Sequence, residues 1–179
     1  MNHVFQGMHG WFNYSNLYLY ALSRCGQSAT FVEIGTWQGK SAAFMAVEII
    51  NSKKSIKLHC VDAWDQALDV DLSNADMEAA YNACYKNLTP FVCVGVLQIH
   101  RGKSVDVASE FDDRSVDFVF IDGAHDLVSV AADIKAWLPK LSDSGMLAGH
   151  DIKRESVQQA LRIFGINYKV MGSCWYIEY

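Results

Sequence analysis

The chain has 179 residues, 51% of them hydrophobic and 20% charged, with a formal net charge of −5. That apolar content excludes an intrinsically disordered chain, and the length suits one domain with a sizeable core. The acidic balance, with no sustained Lys/Arg block, argues against a nucleic-acid or anionic-membrane surface, and no apolar run is long enough to span a bilayer.

Trp11–Cys25 is rich in aromatics and predicts an N-terminal helix, with residues 1–28 as a helical extension of one domain over 1–179. His3 and His9 fall in a stretch expected to be mobile. Thr30–Ile34 reads as the first strand, and Gly39-Lys40-Ser41 opens a helix to about Ile50. This helix is apolar all round, so it is expected between the sheet and a neighbouring helix. Ile56–Val61 is the second strand, closing at Asp62. An acidic loop, Asp65–Asp76, leads into a helix to about Leu88. Val96–His100 is the third strand, and Gly102-Lys103-Ser104 begins a short helix to Phe111.

Val116–Ile121 is a nearly continuous apolar run, the signature of a strand buried on both faces. Asp126 stands at the N-cap of a helix whose apolar stripe is Leu127, Val130, Ala131, Ile134, Leu138 and Leu141. Gly145 follows it, ahead of a short strand at Met146–Ala148. Glu155–Phe164 is the last helix, and Tyr168–Met171 and Cys174–Glu178 form a closing antiparallel pair across Gly172-Ser173. The regular alternation predicts an α/β three-layer sandwich.

Cysteines at 25, 60, 84, 93 and 174 are odd in number and contain no C-x-x-C pair. They read as reduced thiols of a cytoplasmic protein rather than a disulfide framework or zinc site. The N-terminus lacks a charged region followed by an apolar core, so no signal peptide is expected. The basic pairs Lys53-Lys54 and Lys153-Arg154 are expected to be solvated helix ends.

The first strand–helix turn is F-V-E-I-G-T-W-Q-G-K-S, Phe31–Ser41. A glycine after a strand lets a ligand approach the backbone, and the following helix offers free N–H groups to an anion. A P-loop needs four residues between its first glycine and Gly-Lys-Ser, whereas Gly35 and Gly39 enclose three. The dinucleotide fingerprint fails because Glu33 occupies its first glycine position. A tight turn without a ligand is the alternative. Asp62 closes the second strand, where a carboxylate can accept both hydroxyls of a ribose.

Asp122, His125, His150 and Asp151 stand at the ends of the fourth and fifth strands, the edge at which open parallel sheets bind ligands. Asp69-x-Asp71-x-Ser73 starts like a calcium loop, but Asn74 replaces the turn glycine and Ala80 the closing glutamate. That segment reads as a solvated or lid-forming loop. Trp11, Phe12, Tyr14 and Tyr18 either wall an acceptor pocket or pack on the core.

Taken in order, Glu33-x-Gly35-x-x-x-Gly39-x-Ser41, Asp62, Gly102-x-Ser104, Asp122-Gly123-x-His125 and Gly145…His150-Asp151 resemble a class I S-adenosylmethionine-dependent methyltransferase. The likeness is greatest to small bacterial members with a D-G-x-H strand end and a terminal H-D pair. It covers Phe31 to about Ile152. It implies a doubly wound, mostly parallel seven-stranded sheet whose last strand is antiparallel. It also implies that Glu33 faces the methionine end of S-adenosylmethionine through the turn framed by Gly35, Thr36, Gly39 and Ser41. Asp62 would hold the ribose, Trp64 or the Lys103-Ser104 turn would border the adenine, and Asp122 would lie beside the sulfonium and the acceptor.

Catechol-type relatives bind Mg²⁺ at places held here by Asp122 and by His150-Asp151. The histidine departs from that oxygen-rich set and leaves open both whether a divalent cation binds and which one. His125 falls where such enzymes carry a lysine, and an imidazole there can act as general base. The bland alternative has His125 capping the helix and His150 and Asp151 bonding loop backbone.

Three readings follow from the resemblance. The first is methyl transfer to an oxygen, or less readily a nitrogen, of a small molecule. The second is a metal-dependent natural-product hydroxylase on the same fold, and the third is a non-catalytic nucleoside-binding module. The acceptor has no motif of its own, and the aromatic N-terminal helix is compatible with a homodimer.

Overall fold

A computed structural model describes residues 1–65 and 76–179. The strands are β1 (Ser28–Ile34), β2 (Ser55–Asp62), β3 (Leu97–Arg101), β4 (Val116–Ile121), β5 (Leu141–Gly149), β6 (Lys169–Met171) and β7 (Cys174–Glu178). The helices are α1 (Ser15–Arg24), α2 (Lys40–Ser52), α3 (Met77–Cys93), α4 (Ser104–Val107), α5 (Leu127–Trp137) and α6 (Glu155–Ile163). The calcium-like Asp69-x-Asp71-x-Ser73 and most of the acidic loop lie outside the described residues. Among the described residues, no helix is long and apolar enough to cross a membrane.

The seven strands form one sheet in the order β3-β2-β1-β4-β5-β7-β6. All neighbouring pairs through β5 are parallel, while β7 runs antiparallel to both β5 and β6. This is the doubly wound arrangement expected. The period-2 alternation of each strand divides its apolar side chains between the two faces. Phe118 and Phe120 join Leu17, Tyr18, Met45 and Leu88 on one side, and Val119 and Ile121 join Ile134, Trp137 and Leu161 on the other. Helix α2 buries Ala42, Ala43, Ala46 and Val47 completely, as its all-round apolar sequence predicts.

Several boundaries differ from the sequence reading. Helix α1 begins at Ser15, because Asn13 and Tyr14 make tertiary hydrogen bonds in an irregular segment ahead of it. Helix α3 runs through Pro90 to Cys93, its last turn anchored by the buried Phe91. Helix α5 ends at Trp137 and passes through a 3-10 turn at Leu138–Lys140 that holds Pro139. Leu141 is therefore a strand residue paired with Val116, and Gly145 lies inside β5 beside a register shift rather than at a helix end.

His3 is not a loose terminus: its ring stacks on Phe44 at 4.8 Å and its Nε2 lies 2.7 Å from Glu48 Oε1. Lys54 is not merely solvated either, since its ammonium donates to the carbonyls of Leu22 (2.7 Å) and Cys25 (2.8 Å) at the end of α1. The five cysteines are free thiols, as expected.

Strands β1 and β4 are neighbours, and the chain winds outward from them in opposite directions. The crevice beyond their carboxyl ends is the topological switch point, where open α/β sheets bind ligands.

Candidate active site

The sheet's hydrogen bonding continues one residue past each central strand. Gly35 N–H donates to Val61 O (2.9 Å), Asp122 N–H to Ile34 O (2.9 Å) and His150 N–H to Ile121 O (3.0 Å). These bonds set the backbones of Gly35, Asp122 and His150 on one edge. Gly35 has φ +85°, and a Cβ there would stand 2.0 Å from the carbonyl oxygen of Asp122. Only glycine fits where two strand ends pass this closely.

A first cavity of about 230 Å³ opens over this edge, lined among others by Gly35, Asp62, Trp64, Lys103, Ser104 and Asp122. Asp62 is held rigidly, its Oδ2 accepting from Trp37 N–H (2.8 Å) and its Oδ1 from Trp64 N–H (2.9 Å). The Trp64 indole in turn donates to Trp37 O at 3.0 Å. Both tryptophans take left-handed backbone angles, φ 50° at Trp37 and 46° at Trp64, costly for bulky residues and sustained here by these three bonds.

A second cavity of about 450 Å³ shares Gly35, Trp37 and Asp122 with the first. Its other walls include Trp11, Tyr14, Thr36, Ser41, His125, His150 and Asp151. Trp11 and Tyr14 thus face a pocket, whereas Phe12 and Tyr18 pack on the core. Tyr14 donates its hydroxyl to Asp122 Oδ2. His125 Nε2 lies 2.7 Å from Asp151 Oδ2 and 3.8 Å from Asp122 Oδ1. The helix after it is capped by Asp126, which accepts from Val128 and Ser129 N–H, so capping is not the task of His125.

Burial would raise the Asp122 carboxyl, but the neighbouring His125 and His150 imidazoles and the Tyr14 hydroxyl hold it below the usual carboxylate range. The same contacts act reciprocally on the imidazoles. The nearby Asp122 carboxylate lifts His125 above an ordinary histidine despite burial, with Asp151 adding to it. Burial lowers His150, and Asp122 and Asp151 more than reverse it.

The histidine tautomer can be reasoned from its partners. His150 Nε2 is 2.9 Å from Ser173 Oγ and 3.2 Å from Asn13 Oδ1, and the Ser173 hydroxyl donates to Asn13 Oδ1 at 2.9 Å. Nε2 therefore carries the hydrogen. Its Nδ1 faces Asp122 Oδ1 at 3.3 Å and Asp151 Oδ1 at 3.4 Å, both acceptors. Only a positive charge, a proton on Nδ1 or a cation between the three groups, makes this arrangement favourable. Asp122, His125 and Asp151 also offer ligand atoms that lie within 4.8 Å of one another. The donor set thus fits a divalent ion, with one or two nitrogens among carboxylate oxygens. Asp151 has φ 53°, a left-handed conformation that turns its carboxylate back into the cluster.

Two residues expected at the cofactor line neither cavity. The Glu33 carboxylate is buried behind the turn, accepting from the Tyr18 hydroxyl at 2.6 Å and the Ser41 hydroxyl at 3.0 Å, and it lines neither cavity. Gly39 is a packing glycine, where a Cβ would press on the Leu88 side chain at 2.8 Å. Three residues lining these cavities, and Ser173 behind the second, carried no functional role in the sequence reading. Asn13 and Ser173 bracket His150, Asp133 lines the first cavity, and Arg154 reaches Asp151 Oδ2 at 3.4 Å.

A family model described as "Methyltransferase domain" matches residues 32–152, more than half of the chain. A search of curated proteins returns no match. Among solved structures, the O-methyltransferase NovP superposes with a TM-score of 0.65 at 13% identity, covering 92% of this chain and 78% of its own. A proposed caffeoyl-CoA O-methyltransferase from Staphylococcus aureus gives 0.64 at 16% identity, covering 95% and 86%. A SAM-dependent O-methyltransferase from Thermotoga maritima gives 0.64 at 18% identity, covering 93% and 56%. At these identities the superpositions show a shared fold.

Proposed function

The chain belongs to the methyltransferase-domain family, whose enzymes depend on S-adenosylmethionine, and from that premise we propose that it methylates an oxygen of a small molecule with the help of a divalent cation. The observation that carries this reading is the position of Asp122, which stands in both cavities at their junction. A methyl donor in the first cavity and an acceptor in the second would meet beside it. The O-methyltransferases among the structural neighbours support oxygen as the acceptor.

S-adenosylmethionine, when bound, supplies a methyl group on a sulfonium, so the reaction needs alignment for in-line displacement more than activation. Asp62, pinned by the two tryptophan amides, would take the ribose hydroxyls. Lys103 and Ser104 would border the base, and the turn at Gly35 would admit the methionine part. Thr36 and Ser41, on the wall of the second cavity, stand where that part would emerge.

A divalent cation held by Asp122, His150 and Asp151, with His125 beside them, would lower the pKa of the acceptor hydroxyl. The protein's own proton acceptor is the His125–Asp151 pair, 2.7 Å apart, whose carboxylate steadies the imidazolium that forms. Tyr14 fixes the orientation of Asp122 throughout. With donor and acceptor both bound, His125 would take the proton of the acceptor hydroxyl.

Calorimetric titration with S-adenosylmethionine and S-adenosylhomocysteine, with and without Mg²⁺ or Mn²⁺, tests the reading. Binding of either ligand with a metal-dependent affinity upholds both parts. Binding indifferent to metal removes the cation, and no binding in any condition removes the cofactor. Oxygen consumption without methyl incorporation would move the chemistry to hydroxylation.

A further inference from the structure

Two acids, Asp122 and Asp151, and two bases, Lys40 and Arg154, stand on the walls of the second cavity. The strand order β1-β4-β5 sets the bases on either side of Asp122, since Lys40 opens α2 after β1 and Arg154 precedes α6 after β5. Lys40 donates to the carbonyl of Gly10 at 3.0 Å, on the side where Thr36 and Ser41 would receive the methionine part. Its charge therefore suits the carboxylate of that part. Arg154 closes the turn after β5, its backbone N–H donating to Asp151 O at 2.8 Å. Its side chain folds back over the same residue, bringing Nε within 3.4 Å of Asp151 Oδ2, and about half of it remains exposed. Neither the methyl donor nor the proton acceptor uses it.

We propose that Arg154 binds an anionic group, a carboxylate or a phosphate, that the acceptor carries beside its reacting hydroxyl. The inference rests on the cofactor and cation reading given above. The charge of the cavity calls for such an acceptor. With neutral imidazoles the acids and bases on its walls cancel, so a divalent cation and the sulfonium leave the acceptor space positive. The cation also draws on Asp151, the carboxylate that His125 and Arg154 already share. An anion on the acceptor would answer both, and the planar fork of a guanidinium matches two oxygens of a carboxylate or phosphate. An amine that arrives protonated would be repelled, in keeping with oxygen as the methylated atom. A cavity of about 450 Å³ admits a small molecule of this kind. Trp11, on the same cavity and 72% exposed, offers an aromatic face to its carbon frame.

The competing role is structural, with Arg154 steadying the left-handed turn at Asp151 and no more. Such an anchor would affect stability and cation binding but not the charge of the ligand preferred. The test is calorimetric, on protein loaded with S-adenosylhomocysteine and Mn²⁺. The probes are salicylate and lactate, their neutral amides salicylamide and lactamide, and 2-hydroxyphenyl phosphate. The wild type is expected to bind at least one acid about tenfold more tightly than its amide, a modest factor because Arg154 is half-exposed. In Arg154→Gln that ratio should fall to within about threefold while S-adenosylhomocysteine affinity stays within about twofold, and Arg154→Lys should restore part of it. Tighter binding of the phosphate than of salicylate assigns the anion as a phosphate, and the reverse as a carboxylate. Equal binding of acids and amides by the wild type, binding of no probe, or an unchanged ratio in Arg154→Gln overturns the assignment. If that variant does not fold, the acid–amide ratio of the wild type decides alone. Failure to bind S-adenosylhomocysteine overturns the cofactor reading, failure to bind Mn²⁺ overturns the cation, and this inference falls with either.

Discussion

Tyr14 donates its hydroxyl to Asp122 Oδ2 across 2.8 Å, joining the segment ahead of α1 to the end of β4. One helical turn later Tyr18 makes the matching bond to Glu33 at 2.6 Å. Two tyrosines at i and i+4 therefore hold the acids that end β1 and β4. Tyr14→Phe deletes one hydrogen bond to a carboxylate, worth roughly 1.5–3 kcal/mol. Methyl transfer should slow about tenfold while S-adenosylhomocysteine affinity stays within about twofold, as steady-state kinetics and calorimetry would show. Equal losses in both would make Tyr14 a general stabiliser instead.

Asp62→Asn keeps the shape of the group but gives up its charge and one acceptor. Cofactor affinity should fall roughly 10- to 100-fold, with a lowered melting temperature because one tryptophan amide loses its acceptor. Thermal melts run beside the titration separate lost recognition from lost packing around Trp37 and Trp64.

His125→Ala should bind S-adenosylhomocysteine normally and transfer methyl groups about 10²- to 10⁴-fold more slowly. Wild-type turnover by this variant would end its role as proton acceptor.

Ser173→Ala removes the nearer of the two acceptors of His150 Nε2–H, leaving Asn13 Oδ1 at 3.2 Å, and so loosens the ring. Outer partners of metal-binding histidines are typically worth about 10- to 100-fold in affinity, and Mn²⁺ binding measured by calorimetry should weaken by at least the lower figure. An unchanged affinity would take His150 out of the ligand set.

Glu33 gives a pH signature. Burial pushes its carboxyl from 4.5 up to about 8, against the hydrogen bonds from Tyr18 and Ser41. The folded state then holds a proton that the unfolded state releases, so this group's contribution is full below about 4.5 and is lost as pH rises to about 8. Glu33→Gln, which cannot ionise, should melt close to the wild type at pH 5 and several degrees above it at pH 8.5, at about 2–4 °C per kcal/mol. A difference independent of pH would mean that Glu33 is ionised in the folded protein throughout.

The centre of the sheet was legible because β1, β2 and β4 carry apolar residues up to a Gly or Asp at their ends, and β4 was found to the residue. Boundaries failed where local signals conflicted with tertiary contacts. Leu141 continues the stripe of α5 at helical spacing, yet Pro139 diverts it into β5 beside Val116. Of the site, the strand-end groups Asp62, Asp122, His125, His150 and Asp151 were visible because topology alone gathers such ends.

The partners of those groups were not. Asn13 and Ser173 lie 160 positions apart and meet only in the folded chain. Glu33 shows the opposite failure: its place in the motif pointed to the ligand, but nothing local reveals that Tyr18 and Ser41 already occupy it. Asp133 did leave a trace. It falls three residues after Val130 and four before Trp137, an acid on the buried face of an amphipathic helix.

The contact of Gly35 with the Asp122 carbonyl has a consequence for anyone reshaping this protein in the laboratory. At Gly35, where the two cavities meet, the wall is bare backbone and an added Cβ collides, so this position offers nothing to vary. A library aimed at new acceptors has its freedom in the rim, at Trp11 and Arg154. One aimed at altered cofactors has it at Val105, Ala132 and Asp133.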